Sequence, residues 1–186
     1  MTWNELEEMC NNCHRCSLGK TRTKTVFGTG NRESVLMFVG EAPGENEDLT
    51  GIPFVGRAGQ LFDRYLKAVD IPRDDVYICN MLKCRPPKNR DPEESEQDVC
   101  IEYLREQVRL VRPKMIVCLG RISAMRLIHP DYKITKEHGQ WVKKGNFEMT
   151  AVYHPSLLLR CNVTYKEQML EDMKAVAEKY RLYKNS

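Results

Sequence analysis

The sequence predicts an α/β fold: a single domain with a central four-stranded parallel sheet flanked by helices on both faces. Two observations predict it. Four apolar runs of strand length, Ser34–Gly40, Val76–Asn80, Met115–Gly120 and Phe147–Tyr153, are bounded by turn residues, as buried strands are. Segments with apolar residues at helical spacing lie between them, and strands alternating with helices close into a parallel sheet covered on both sides.

The elements follow in order. Asn4–Met9 is a short helix leading into Cys10-Asn11-Asn12-Cys13-His14-Arg15-Cys16, and Phe27–Asn31 is a turn before the first strand. The stretch Glu41–Gly56 reads as a loop rich in glycine, proline and acids. The helix after it carries Leu61, Tyr65, Leu66 and Val69 on one face, and Pro72 with the following aspartates breaks it before the second strand. Arg85–Pro92 is extended, because adjacent prolines exclude helix. Pro92-Glu93-Glu94 opens a helix running to about Arg112, with Val99, Tyr103, Leu104, Val108 and Val111 facing inward. A short helix follows Gly120, Ile134–Gly145 is irregular or a hairpin, and Tyr165–Tyr183 is a long closing helix.

A chain of 186 residues is long enough to bury roughly 70% of its unfolded surface. No stretch approaches the roughly 18 apolar residues of a transmembrane helix. The N-terminus has no basic start followed by an apolar core, so no signal peptide is expected and the default location is a reducing cytoplasm. Lys and Arg total 29 against 26 Asp and Glu, an excess too small to identify a nucleic-acid partner. The clusters Lys20–Lys24, Lys83–Arg90 and Arg160 matter more than the sum.

The chemistry-bearing residues fall at the carboxyl ends of the strands. The first ends in Gly40-Glu41-Ala42-Pro43-Gly44, the second in Asn80 and the fourth in His154-Pro155-Ser156. Ligands of open α/β sheets bind in the crevice beyond those ends, so a carboxylate, an amide and an imidazole meet at one edge. The glycine spacing matches neither a P-loop nor a dinucleotide-binding turn. Phe54, framed by glycines, either stacks on a flat ligand or anchors its loop in the core. Asn80 either reads a base edge with its paired donor and acceptor or caps a turn. Cys79 and Cys118 sit within strands as small core residues. Cys10, Cys13, Cys16, Cys84 and Cys100 remain as metal candidates. Four thiolates suit structural zinc or an iron–sulfur cluster, and the lack of a second close pair leans toward the cluster. Cys10 with Cys13 and Cys13 with Cys16 are equally spaced pairs.

Three motifs in order resemble the family 4 uracil-DNA glycosylases. They are Gly40-Glu41-Ala42-Pro43-Gly44 with Gly51-x-Pro53-Phe54-Val55-Gly56-x-Ala58-Gly59, then Asn80-x2-Lys83-Cys84-Arg85-Pro86-Pro87-x-Asn89-Arg90, and His154-Pro155-Ser156-x-Leu158-Leu159-Arg160. The resemblance covers nearly the whole chain and implies one glycosylase domain, residues 1–186, with an N-terminal iron–sulfur-binding segment. It implies a structural [4Fe–4S] cluster on Cys13, Cys16, Cys84 and Cys100, the family's Phe27-Gly28-x-Gly30 turn selecting Cys13 and Cys16 over Cys10. It implies flipping of uracil out of DNA, single- or double-stranded, and hydrolysis of its glycosidic bond. Glu41 and His154 would be catalytic, and Ala42, Gly44, Glu47, Phe54 and Asn80 would bind the base, with Glu47 crowding the C5 position against thymine. Arg85, Ser156 and Arg160 would bind DNA, and Leu158, within Leu157–Leu159, would wedge into it. No nucleotide cofactor, no membrane and a monomer are implied. Two departures stand out. Glu137-His138-Gly139 replaces the family's usual Val-Arg-Gly after Ile134-Thr135-Lys136, and there is no Arg-Arg-Ile-His insertion of the covalently crosslinking branch. The rival readings are a non-catalytic nucleic-acid-binding module with a structural cluster and a zinc-stabilised hydrolase of free nucleosides.

Overall fold

A computed structural model describes residues 1–186. Its sheet has six strands: β1 (Thr29–Gly30), β2 (Leu36–Gly40), β3 (Tyr77–Asn80), β4 (Met115–Leu119), β5 (Val142–Lys144) and β6 (Phe147–Val152), in the order β1-β3-β2-β4-β6-β5. The four anticipated strands form the parallel centre. Short antiparallel strands on both edges correct the expected count: β1 pairs with β3, and β5 forms a hairpin with β6. The turn expected at Phe27–Asn31 therefore contains β1.

Alternation along the strands builds two cores. Leu36, Phe38, Ile78, Val117 and Val152 face one side, and Met37, Val39, Tyr77, Cys79, Ile116, Cys118 and Ala151 face the other. The first side is covered by α4 (Arg57–Ala68), through Phe62 and Leu66, and by the closing helix α9 (Val163–Lys184), through Met169, Met173, Val176, Ala177 and Tyr180. The second is covered by α5 (Glu94–Val111) and α6 (Arg121–Leu127). A third cluster joins α1 (Trp3–Asn11) and α2 (Leu18–Thr21) to α5 around the cysteines.

Caps set several boundaries. Thr2 and Glu5 form a reciprocal capping box on α1. Glu96, only 2% exposed, accepts from the Glu93 amide and takes both guanidinium nitrogens of Arg90 at 3.0 and 2.6 Å. That bidentate pair pins the Pro-rich loop to the start of α5. The acidic loop is less irregular than its composition suggests, since it contains α3 (Glu45–Thr50). Two further single turns, α7 (Ile134–Glu137) and α8 (Pro155–Leu158), lie on either side of the β5–β6 hairpin. No helix is long and apolar enough to cross a membrane.

Candidate active site and cysteine centre

A crevice opens beyond the carboxyl ends of β2, β3 and β6, and Glu41, Phe54, Asn80 and His154 all line it. Parallel strands deliver them together: Gly40 pairs in register with Asn80, and β6 runs directly into His154.

Asn80 forms part of the wall. It is 2% exposed, and its side-chain Oδ1 is buried without a hydrogen-bond partner. Leaving such a group unsatisfied costs about 1–3 kcal/mol, so Asn80 Oδ1 is an acceptor available in the crevice wall. Gly40 makes the arrangement possible, because a Cβ there would collide with both the Asn80 Oδ1 and the Phe54 ring. Phe54 is 6% exposed and belongs to the first core as well as to the crevice wall. Its ring centroid lies 5.7 Å from that of Phe62 and 6.0 Å from that of His154.

His154 serves as N-cap of α8. Its Nδ1 accepts from the Ser156 amide at 3.1 Å and lies 2.7 Å from the Ser156 hydroxyl. An amide can only donate, so Nδ1 carries no proton and the neutral ring carries it on Nε2. The residue keeps some solvent contact, yet burial holds its pKa down to about 4, so the ring is a neutral donor at physiological pH. Glu41 is shifted the other way. Burial first, and then the negative charge of Asp91, raise its carboxyl to about 7, against the opposing pull of Arg121.

The other anticipated residues divide. Ala42 and Gly44 line the crevice beside Glu41. The Glu47 carboxylate also borders it but is fully engaged, accepting from the amides of Gly44 at 3.0 Å, Val55 at 3.2 Å and Gly56 at 2.7 Å. It thus ties the two halves of the acidic loop together. Ser156 and the exposed Arg160 sit at the crevice mouth, the Ser156 hydroxyl being engaged by His154. Arg85 is half-buried and donates to Asn89 Oδ1 at 2.7 Å. Leu158 is a correction: it is fully buried in the core under α8, and Leu159, 40% exposed, is the most exposed leucine of that run. Arg57, Asn89 and Asp91 line the crevice without having been anticipated. Only the assembled loops bring them there.

Residues 27–174 match the family model of the uracil DNA glycosylase superfamily. The chain is 43% identical over 170 residues to the type-4 uracil-DNA glycosylase of Archaeoglobus fulgidus, covering 86% of this chain and 82% of that protein. It is 43% identical over 159 residues to that of Thermotoga maritima, covering 83% and 82%, and 40% identical over 183 residues to that of Sulfurisphaera tokodaii, covering 94% and 83%. The chain belongs to the type-4 uracil-DNA glycosylase family. The motif residues Glu41, Phe54, Asn80 and His154 lie together at this crevice.

The cysteine centre of this glycosylase lies beside the crevice. Cys10, Cys13, Cys16, Cys84 and Cys100 line one cavity between the N-terminal segment and α5. All are free thiols. Several cysteines lining one cavity form a donor set of the kind that zinc and iron–sulfur centres both take. Two donors already point at sulfur: Arg22 Nη1 lies 3.4 Å from Cys84 Sγ, and the Lys83 amide lies 3.3 Å from Cys100 Sγ. Such hydrogen bonds to ligand sulfurs are typical of iron–sulfur sites. The Lys83 side chain, 1% exposed, turns the other way and donates to the Asn80 carbonyl at 2.7 Å and to Gln107 Oε1 at 2.6 Å. One residue thus touches both the cysteine centre and the crevice strand.

Proposed function

We infer that this glycosylase excises uracil from DNA, hydrolysing the N-glycosidic bond to leave an abasic site, the first step of base excision repair. The observation that carries the reading is the buried, unpartnered Asn80 Oδ1 in the wall of the crevice. Uracil offers an N3–H donor beside the O4 acceptor, and an asparagine amide matches that pair with Oδ1 and Nδ2. Cytosine presents the opposite polarity and would leave both amide atoms unsatisfied, a strong basis for rejection.

A base in a duplex must be flipped out to enter. In our assignment the ring then stacks on Phe54 while Asn80 reads its edge. As the C1′–N1 bond breaks, its electron pair moves into the uracil ring and develops charge on O2. The neutral Nε2–H of His154 donates to that oxygen, fixed in place by the Ser156 bonds to Nδ1. The sugar becomes cationic, and ionised Glu41 stabilises it and orients the water that adds at C1′. Glu47 closes the C5 side through the loop that it braces and so disfavours thymine. Arg85, Ser156 and Arg160 engage DNA backbone at the mouth, with Leu159 rather than Leu158 as the wedge. Single- and double-stranded uracil-containing DNA both fit an open crevice edge, and the chain acts as a monomer with no nucleotide cofactor.

We assign Cys13, Cys16, Cys84 and Cys100 as ligands of a [4Fe–4S] cluster. When bound, it supplies iron–thiolate bonds that cross-link the N-terminal segment to the Pro-rich loop and α5. The free thiols support a reducing, cytoplasmic setting.

The test is base release from an oligonucleotide bearing one uracil, followed by alkaline cleavage, for wild type, Asn80→Ala and His154→Ala. Cleavage at uracil by wild type should fall about 10²–10³-fold in His154→Ala, with binding to uracil-free DNA retained. Wild-type activity in both variants would refute the assignment, and inactive wild type that still binds DNA would favour the non-catalytic reading.

A further inference from the structure

We propose that Arg73 is a positioning residue for the base pocket, its guanidinium fixing Phe54 in the backbone conformation that turns the ring into the crevice wall. The inference rests on the reading of Phe54 as the platform for uracil.

Phe54 has φ +53°, in the left-handed region that residues with a Cβ avoid. A non-glycine residue stays there only when its surroundings over-determine it. Two constraints do so. Gly59, on the first turn of α4, leaves room for the Phe54 backbone, since a Cβ at that position would overlap the Phe54 carbonyl. Arg73 supplies the pull from the opposite end of the α4–β3 connection. Its Nη1 donates to the Phe54 carbonyl at 3.1 Å and its Nη2 to the Pro53 carbonyl at 2.5 Å. Asp63 on α4 holds the same guanidinium at 2.5 Å. A planar fork grips two successive carbonyls in this way, and a lysine point charge does not. Arg73 itself does not line the crevice, so it touches neither base nor sugar and acts only through Phe54.

Without the clamp, the Pro53 and Phe54 carbonyls lose their partners and the backbone relaxes toward extended φ. The ring then leaves its place 6.0 Å from His154. Loss of one stacking surface should weaken base affinity about tenfold, while contacts to the DNA backbone persist.

The experiment compares wild type, Phe54→Ala and Arg73→Met. It reads inhibition of base release by free uracil, KM and kcat on a uracil oligonucleotide, and affinity for an oligonucleotide bearing an abasic-site analogue. We expect Arg73→Met to show uracil inhibition weakened about tenfold, KM raised by a similar factor, kcat changed less than threefold and abasic-DNA affinity unchanged. Arg73→Lys should not restore uracil inhibition. Wild-type uracil inhibition in Arg73→Met, with Phe54→Ala impaired, overturns the clamp alone. Uracil and abasic-DNA affinities falling together also overturn it, because a merely structural lesion would do that. Intact uracil inhibition in Phe54→Ala overturns the stacking reading and the clamp with it. If Arg73→Met does not fold, the same readings on Asp63→Ala decide. That variant leaves Arg73 untethered and should lose uracil inhibition selectively, and a wild-type result there overturns the proposal.

Discussion

Replacing Gly40 by alanine places one methyl group against two side chains of the crevice wall. The added Cβ would lie 2.5 Å from Phe54 Cζ and closer still to Asn80 Oδ1, where ordinary contact begins at 3.4 Å. Something must retreat by about 0.9 Å. Neither neighbour yields easily, because Asn80 is held in register opposite Gly40 and the Phe54 backbone is gripped by Arg73. The φ of Gly40 is not among the positive values, so alanine adds no backbone strain and the effect is purely steric. Overpacking of this kind costs about 1–3 kcal/mol, which at roughly 2–4 °C per kcal/mol for a chain of this length lowers Tm by roughly 2–12 °C. A displacement near 1 Å in a catalytic pocket costs about 10²-fold in rate. Gly40→Ala should therefore remain folded yet lose about two orders of magnitude in kcat/KM for uracil release, measured beside a thermal melt. Activity within threefold of wild type would refute the placement of Asn80 and Phe54 around this strand end.

Four more outcomes follow. The Glu41 carboxyl titrates at about 7, so kcat/KM should rise with pH through that value as the carboxylate forms, and Glu41→Gln should abolish the limb. His154, held down to about 4, contributes no limb near its ordinary value. The stability effect of Glu41 has the opposite sense: with its folded pKa raised above 4.5, its contribution is fully present below that pH and lost as pH rises through about 7. Urea unfolding should then find Glu41→Gln more stable than wild type at pH 8, by at most about 3 kcal/mol, and equal to it at pH 4. Cys100→Ser should lose iron and visible absorbance together with thermal stability, whereas Cys10→Ser should keep its iron, measured by iron analysis and absorption spectra. Leu159→Ala should impair excision from duplex DNA more than from single strands in parallel assays, since only the duplex has a gap to fill.

Much of the fold was legible because the central strands are buried on both faces and read as unbroken apolar runs. The edge strands carry no such signal. β1 has two residues, and all three residues of β5 are exposed, so neighbouring strands define them rather than their own sequence. Helix α3 escaped notice because Asp48 is its only buried side chain, and that aspartate faces inward to accept from the Thr23 and Lys24 amides. Glu41, Asn80 and His154 were legible as a group because each ends a strand. Leu158 misled because three consecutive leucines have no period, and only the single turn of α8 decides which one enters the core. Arg73 gave no local sign, since its partners are carbonyls about twenty residues away, brought near by packing of α4.

The proposed reader of the base and a proposed anchor of the N-terminal segment share one short stretch of chain. Asn80 and Cys84 are four residues apart, a span of at most about 14 Å even when extended, and Lys83 between them donates its amide to Cys100 Sγ and its ammonium to the Asn80 carbonyl. Slack introduced at the cysteine end has almost no chain in which to dissipate before it reaches the amide. In the proposed assignment, oxidative loss of the Cys84 anchor would be felt as a loosened grip on uracil, so redox damage and failing repair would arrive as a single event.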